Sequence, residues 1–339
     1  MSLVSENHDV SYSKPTYVRY LVVASLGVGF LLAYLPRAGI APMVKTIQHD
    51  LMINDVDMGR ILAVFFAGYF FFQIPGGLLG QKLGNRIALP LLQLLSAIAN
   101  LLTAVAYSFG FIWVSRFLLG LAQAGMVPCS AQVIKNWIPE SQRGTASSLM
   151  GSFMSVGSIL AVGLTAVLIE PFGWRLPLLL FSIFSVCWAI FFFFFFRDRP
   201  ANHPLTNPAE VDLIGEQKKP EPLTDETMNV KRSSIALQMI FNRSIWFFCS
   251  QSMFRAFGYA FFITWYPTYL QYSTGTSIKE AGLFAMLPLT GVVLGTLTGG
   301  ILIDFIYKRT GNKYSSRSLL CVYSHLLCAL CILLSAWID

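Results

Sequence analysis

Long apolar segments, separated by short polar connections, run through most of the chain. A membrane-spanning helix needs about 20 predominantly apolar residues, and charge-free windows of that length lie at 61–81, 145–169, 176–196 and 281–303. Another charge-free stretch is divided by the turn-like residues 107–110, and the remaining apolar windows hold at most two charges each. The pattern therefore predicts nine transmembrane helices, at residues 18–40, 61–81, 87–106, 111–134, 145–169, 176–196, 244–271, 281–303 and 318–338.

One long hydrophilic stretch, residues 197–243, separates six of these helices from the other three. It holds seven acidic and seven basic residues together with five prolines, and such a composition cannot bury much apolar surface. The chain is therefore predicted to consist of a six-helix N-terminal half at 1–196, a linker at 197–243, and helices seven to nine of a second half at 244–339.

Composition supports a membrane protein and excludes most soluble classes. Of the 339 residues, 55% are hydrophobic and 12% are charged, against about 25% charged in an average soluble domain. A net charge of +7 on so apolar a chain is typical of loops that face anionic membrane lipid, and it does not indicate nucleic-acid binding. The four histidines are isolated, and no motif predicts a catalytic constellation, a metal site or a cofactor. An enzyme embedded in the membrane is therefore disfavoured.

Lysine and arginine are distributed unevenly between the two sides of the predicted membrane. With the N-terminus inside, 17 of them lie in inner segments, four in outer connections and three within predicted helices. Because short inner loops carry an excess of Lys and Arg, this distribution predicts a cytoplasmic N-terminus and a cytoplasmic linker. The expected location is the inner or plasma membrane.

Apart from Arg19, which lies at the inner end of the first helix and is counted with the inner side, three arginines lie within predicted helices, where an ionisable side chain is costly and is a functional candidate. Arg37 and Arg116 could instead extend to the outer interface, whereas Arg255 lies closest to the centre of its helix. The planar guanidinium fork matches a carboxylate, so these residues predict an organic anion as the substrate. Tyr34 and Tyr259 share the helix faces of Arg37 and Arg255, where they could contact substrate or pack in the core.

Five motifs carry a resemblance to a known family. They are Tyr34-Leu35-Pro36-Arg37, Gln73-Ile74-Pro75-Gly76-Gly77, Arg116-Phe117-Leu118-Leu119-Gly120, Asn136-Trp137-Ile138-Pro139-Glu140-Ser141-Gln142-Arg143 and Phe262-Ile263-Thr264-Trp265-Tyr266-Pro267-Thr268-Tyr269-Leu270. With them the chain resembles the anion:cation symporter branch of the major facilitator superfamily, which includes hexuronate, aldonate, sialic acid and vesicular glutamate transporters. Two six-helix halves joined by a cytoplasmic linker are the layout that this resemblance implies.

The resemblance implies a secondary transporter that moves an organic anion by alternating access, with an acidic sugar such as a hexuronate or aldonate as the first choice. It implies that Arg37 engages the substrate carboxylate and that Arg255 is the matching arginine of helix seven. The candidate substrate-binding residues are Arg37, Arg255, Tyr34, Tyr259, Gln123 and Arg116. The candidate residues of a conformational gate are Gly77, Gln81, Arg86, Asp304 and Arg317.

Three positions depart from the family pattern. Pro36 and Gln123 stand where the family often has carboxylates, and neither side chain can titrate. Gln81 stands where the loop after helix two usually has an aspartate that braces the closed state. We therefore expect weak proton coupling, with exchange of one anion for another as the first expectation and uniport next, so that the further partner is an exchanged anion or a coupling cation.

The number of predicted helices also departs from the family, which has twelve. Helices ten to twelve are missing from the predicted pattern, so the chain is expected to be a fragment of a longer carrier or inactive by itself. A receptor or scaffold that does not transport is the alternative function. Substrate-dependent uptake into vesicles distinguishes a carrier from these alternatives.

The predicted topology can be tested with single cysteines at Asn54 and Pro220 in a background that lacks the six native cysteines. Because the excess of Lys and Arg places the linker inside, an impermeant thiol reagent should label only the Asn54 variant in intact cells. Permeabilised cells, in which both variants should react, provide the control. Labelling of the Pro220 variant alone in intact cells would show that the topology is the reverse of the predicted one.

Overall fold

Helices make up nearly all of the described chain. The computed structural model describes residues 14–139, 142–215, 241–310 and 318–338. Its α-helices are α1 (Val18–Ala38), α2 (Ile40–Leu51), α3 (Asp55–Leu83), α4 (Asn85–Ala104), α5 (Phe109–Ala124), α6 (Met126–Trp137), α7 (Arg143–Phe172), α8 (Arg175–Phe195), α9 (Pro208–Ile214), α10 (Arg243–Thr264), α11 (Tyr266–Ser273), α12 (Ile278–Thr310) and α13 (Leu320–Ile338). A short 3-10 helix, Pro200–Asn202, precedes α9.

Seven helical segments are long and apolar enough to cross a membrane, with α1 and α2 forming one span and α5 and α6 another. The all-α membrane fold predicted from the sequence is confirmed. The predicted count of nine spans is not confirmed within the described residues. Helices α10 and α11 lie at the predicted seventh span without meeting the same criteria, and α13 qualifies only as a shorter apolar helix.

The first span is longer than the sequence pattern predicts. The predicted helix 18–40 continues through α2 to Leu51, because the apolar face of α2, which includes Met43, Val44 and Ile47, is completely buried in a core cluster. Lys45 interrupts the apolar run and produced the wrong boundary. The extension places Arg37 near the middle of a span of 34 residues instead of near its outer end.

Contacts between helix ends define two faces of the helix bundle. We call the end at which α1 begins the linker face and the opposite end the distal face. On the distal face, the Asp50 carboxylate accepts hydrogen bonds from Trp174 Nε1 at 3.0 Å and from Arg175 Nη1 at 2.6 Å. Arg175 also donates to the Ala106 carbonyl at 3.2 Å. These bonds join the end of α2 to the α4–α5 and α7–α8 connections.

The first part of the predicted linker packs against the linker face. Glu210 is fully buried, and His203 and Ile214 are also buried, whereas Leu205 and Leu213 are exposed. Residues 197–215 therefore dock through a few specific side chains, most of them polar, and bury little apolar surface. The His203 ring lies edge-on to the Trp137 and Phe195 rings, with centroids 5.5 and 5.3 Å away. Burial lowers the pKa of His203, so this packed ring is neutral at neutral pH.

Close approach of α3 and α5 depends on small residues. A Cβ atom at Gly120 would overlap the carbonyl oxygen of Phe65, and one at Gly68 would overlap the carbonyl oxygen of Phe117. The glycine at 120 lies one helical turn after Arg116. Without a hydrophobic drive between helices in lipid, such contacts let backbones meet and supply the packing energy. The contact at Gly120 therefore holds the Arg116 turn of α5 against Phe65.

We expect Gly120→Ala to lower the free energy of unfolding by about 1 to 3 kcal/mol, as overpacking typically does. The physical reason is the overlap between the new methyl group and the Phe65 carbonyl oxygen. Gly151→Ala is a matched control, since Gly151 also lies in a helix but has no atom within 4 Å of its Cβ position. Thermal unfolding in detergent measures the difference, and equal melting temperatures for the two variants would contradict the packing argument.

Candidate anion-binding site

The side chain of Arg37 lies among four aromatic rings. Its Cζ atom is 5.0 Å from the ring centroid of Tyr34, 5.1 Å from those of Phe65 and Tyr69, and 5.6 Å from that of Phe66. The buried Nε atom has no hydrogen-bond partner in the described chain, and no described carboxylate pairs with Arg37. Ring faces attract the guanidinium by about 0.5 to 2 kcal/mol each. The Tyr69 side chain also hydrogen-bonds to Arg37, and the Nε donor is left without a partner in the described chain.

A second guanidinium, that of Arg116 on α5, lies beside the same cluster. Arg116 is 2% exposed, and its Cζ lies 5.3 Å from the Phe65 ring centroid. Its Nη1 donates a 3.0 Å hydrogen bond to the Pro36 carbonyl, close to the interruption between α1 and α2. The alternative in which Arg116 extends to the membrane surface is therefore wrong. Its buried Nε atom has no partner among the described residues.

Gln123 lies two turns further along α5 and is buried. Its side-chain amide donates to the Ala33 carbonyl at 2.8 Å and to Ser96 Oγ at 3.2 Å. The amide thus links α1, α4 and α5. Both hydrogen bonds are donated by Nε2, so the Gln123 amide holds α1 in place close to Arg37.

The structure places Arg255 apart from the Arg37 cluster. Arg255 is exposed on α10, whereas Tyr259, one turn later, is half-buried against the same core as Tyr34. Tyr259 interacts with Ser158 and lies within electrostatic range of Tyr34, Arg37 and Arg255. Tyr259 therefore packs α10 against the core that holds Tyr34 and lies between the surroundings of the two arginines predicted to share a substrate.

Three of the predicted gate residues, Gly77, Gln81 and Arg86, lie near the ends of α3 and α4 on the linker face. Gly77 accepts a 3.0 Å hydrogen bond from Gln132 Nε2 and packs closely against Pro128. Gln81, which replaces the expected aspartate, is exposed at the end of α3.

The remaining gate residues lie further along the chain. Arg86 donates to the Phe193 carbonyl at 3.1 Å and stacks on the Phe193 ring at 5.1 Å, so it joins α4 to α8. Asp304 lies in the last part of α12, and Arg317 lies outside the described residues. Their proposed function as a gate stays a prediction.

Sequence reasoning missed the three rings that α3 contributes to the Arg37 cluster. Phe65 and Tyr69 are four residues apart and therefore lie on one helix face, beside Phe66. That spacing is a detectable signal, but apolar helices hold many aromatic pairs at the same spacing. Only the position of the Arg37 side chain of α1 beside α3 distinguishes these rings from rings that face lipid.

The second half meets the first on the distal face. The Lys45 ammonium lies 4.0 Å from the centroid of the Tyr272 ring, and the Tyr272 hydroxyl is 3.5 Å from Asp55 Oδ1. Close by, Thr268 Oγ1 is 3.4 Å from the Ala41 carbonyl oxygen. These contacts join α2 and the start of α3 to α11. They hold the two halves together on the distal side of the described bundle.

Comparison with known proteins identifies the family. The model of the Major Facilitator Superfamily matches residues 26–339, which is most of the chain. The chain belongs to this superfamily. The sequence-based prediction of a major-facilitator fold is thereby confirmed.

Curated relatives of this major facilitator include named organic-anion transporters. A probable sulfoacetate transporter of Cupriavidus necator is 28% identical over 299 residues, covering 88% of this chain and 68% of the relative. A probable galactarate/D-glucarate transporter of Bacillus subtilis is 29% identical over 306 residues, covering 87% and 67%. A galacturonate transporter of Dickeya chrysanthemi is 27% identical over 284 residues, covering 84% and 81%. The relatives support the predicted anion-transporter branch.

Solved structures with the same fold are also transporters. A bacterial homolog of the human lysosomal transporter Spinster has a TM-score of 0.64 at 17% identity, covering 84% of this chain and 61% of that one. A D-xylose-proton symporter has a TM-score of 0.64 at 16% identity, with coverages of 85% and 70%. This major facilitator therefore spans 61% to 70% of the length of these two structures and of the sulfoacetate and glucarate relatives.

The contact between Lys45 and Tyr272 on the distal face predicts that the two halves can be cross-linked there. Cysteines in place of Lys45 and Tyr272, in a background without native cysteines, should be joined by a short bismaleimide in the ligand-free protein because the two side chains are in contact. A pair at Lys14 and Tyr272, on opposite faces, is the control and should not cross-link. Modification of both cysteines without cross-linking in the first pair would contradict this contact between the two halves.

Proposed function

We propose that this protein is a secondary transporter that moves an organic anion across the membrane by alternating access. The substrate class is an acidic sugar such as a hexuronate or aldonate, or another small carboxylate. The observation that carries the proposal is the Arg37 guanidinium, which lies near the middle of a membrane span without a carboxylate partner in the described chain. A permanent positive charge in that position favours binding of an anion.

The surroundings of Arg37 support recognition of a carboxylate rather than of a neutral sugar. The rings surround the partly buried guanidinium with apolar groups, and an apolar environment strengthens its attraction for a negative oxygen. Arg116 adds a second positive charge beside Phe65. The named substrates of the relatives, which include galacturonate, galactarate, D-glucarate and sulfoacetate, are all organic anions.

Arg255 and Tyr259 supply the contribution of the second half in this proposal. Arg255 is exposed on α10 and apart from the Arg37 cluster, and Tyr259 lies within electrostatic range of both arginines. Closure of the linker face would bring α10 toward α1 and would let Arg255 contact the opposite end of a bound anion. Alternating access then consists of closing one face around the anion while the other opens.

Exchange of one anion for another is the expected mode. The positions at which relatives of this type often have a carboxylate are Pro36 and Gln123, and the Gln123 amide is engaged with Ala33 and Ser96. Neither can bind a proton when the anion leaves. A coupling cation remains the alternative and is an outcome of the transport measurement below.

The orientation in this proposal places the linker face in the cytoplasm. The support is the excess of Lys and Arg, 17 against four, on that side of the sequence-predicted topology. The membrane would then be the inner or plasma membrane, and the distal face would lie on the side away from the cytoplasm.

Counterflow in liposomes that hold the full-length protein tests this function. Preloaded D-glucarate or D-galacturonate should accelerate uptake of the labelled anion severalfold, galactitol should not, and an imposed pH gradient should change uptake little. Arg37→Ala and Arg37→Lys should both lower the apparent affinity, by about 30-fold or more, because each removes the fork that pairs with a carboxylate. Arg255→Lys should likewise damage uptake nearly as much as Arg255→Ala.

Arg60→Lys is the matched control, since Arg60 is an exposed arginine of α3 that pairs with Asp57. It should transport normally. Normal affinity and rate for Arg37→Ala would contradict the assignment of Arg37. Binding of the anion without uptake would favour a receptor, and accumulation driven by a proton gradient without internal anion would refute exchange.

A further inference from the structure

Helices α1 and α4 are among the helices of the first half that begin without a side-chain cap of their own. The N-cap residue of α1 is Tyr17 and that of α4 is Gly84, and neither provides a side-chain hydrogen bond to the first turn. The first N–H groups of a helix need acceptors, and a carboxylate there is also favoured by the helix dipole. Both helices receive a carboxylate from the segment that follows α8.

The carboxylate at α1 is that of Glu210 on α9. It is fully buried and accepts a 3.1 Å hydrogen bond from the Arg19 backbone N–H. The same carboxylate forms a 3.2 Å ion pair with Arg19 Nη1 and accepts a hydrogen bond from the Thr16 hydroxyl. Three residues before it, the Asn207 amide donates to the Lys14 carbonyl at 2.8 Å. A buried carboxylate with so many partners is a specific docking contact.

The carboxylate at α4 is that of Asp198. Its Oδ1 accepts hydrogen bonds from the backbone N–H groups of Asn85 at 2.6 Å and Arg86 at 3.3 Å. Gly84 has a φ of 78°, and a Cβ atom there would lie 2.7 Å from Asp198 Oδ2. Glycine therefore permits both the backbone turn and the approach of the carboxylate.

The same segment is fixed to two further helices. Trp137 at the end of α6 donates a 2.9 Å hydrogen bond to the Arg197 carbonyl, and its ring packs on Phe196 after α8. His203 fills the space between Trp137 and Phe195. Residues 197–215 thus contact the linker-face ends of α1, α4, α6 and α8. We call these residues the linker clamp.

We propose that the linker clamp makes the linker-face ends of α1, α4, α6 and α8 move as one rigid unit during transport, with Asp198 and Glu210 as its positioning residues. This proposal rests on the proposed transport function. Helix α1 carries Tyr34 and Arg37, so a loose α1 would reorient its anion site poorly even when the site itself is intact. The clamp stays docked throughout the cycle and belongs to the first half, not to a flexible connection.

The kinetic test compares Glu210→Gln and Asp198→Asn with Asp212→Asn in the counterflow assay, using labelled D-glucarate. Asp212 is an exposed carboxylate on the same helix as Glu210, so its variant is matched in charge. Each clamp variant should lower the maximal rate about tenfold, the effect of one lost charge-assisted hydrogen bond on a barrier, while the half-saturating concentration stays unchanged. Asp212→Asn should change neither quantity. A normal rate for both clamp variants would overturn the proposal.

A covalent variant separates rigid coupling from simple stabilisation. Cysteines in place of Thr16 and Glu210, in a background without native cysteines, remove the carboxylate but face each other across the clamp contact. Transport should be slow before treatment with a short bismaleimide and should return toward the normal rate after cross-linking in the same liposomes. Loss of the remaining transport on cross-linking would show that the clamp must detach, which would refute the proposal.

Hydrogen–deuterium exchange tests the clamp independently of transport. In Glu210→Gln the backbone amides at the start of α1, including that of Arg19, should exchange faster, and in Asp198→Asn those of Asn85 and Arg86 should do so. Asp212→Asn should leave both regions protected. Unchanged protection in the clamp variants would refute the clamp, whereas absence of anion uptake by the unmodified protein would refute only the transport function.

Discussion

A guanidinium keeps its charge at physiological pH, and two of them are held inside the first half among apolar helices. Charge in such a place is costly unless it is paired or hydrogen-bonded. Arg116 donates to the Pro36 carbonyl, and Arg37 is surrounded by ring faces, so neither depends on a described carboxylate. The arrangement of α1, α3 and α5 follows from this constraint. Gly120 lets α5 approach the Phe65 backbone, and that ring then lies beside both guanidinium groups.

Hydropathy was sufficient to predict most of the helices, because each lipid-crossing segment must be long and apolar. Hydropathy failed to predict the end of the first span, because the charge of Lys45 interrupts the apolar pattern although α2 continues past this residue. It failed again at Glu210, since composition counts a carboxylate as a solvated group and cannot show that Arg19 lies opposite. In both places a polar side chain finds a partner from a distant part of the chain, and no local pattern contains that information.

The sequence was sufficient to predict the charged residues of the candidate site but not the aromatic rings that surround them. Arg37 could be identified because an arginine in an apolar segment is rare, and its depth near mid-span strengthens that inference. The rings of Phe65, Phe66 and Tyr69 could not be identified, since aromatic residues are common in membrane helices and only helix pairing selects these three. Gln123 was read as a site residue, and the structure gives its amide a definite task in joining α1 to α4.

Arg37 lies beside aromatic rings instead of a carboxylate, and this difference affects whether transport can be coupled to protons. A carboxylate beside an arginine can exchange partners with a substrate anion and take up a proton when displaced. The Phe65 and Phe66 rings have no ionisable group, so arrival of an anion at Arg37 releases no base from them. The rings also attract the cation less strongly than a carboxylate does at low dielectric. In the proposed cycle the occluded site is therefore more stable with an anion than without one, which links reorientation to the presence of substrate on either side of the membrane.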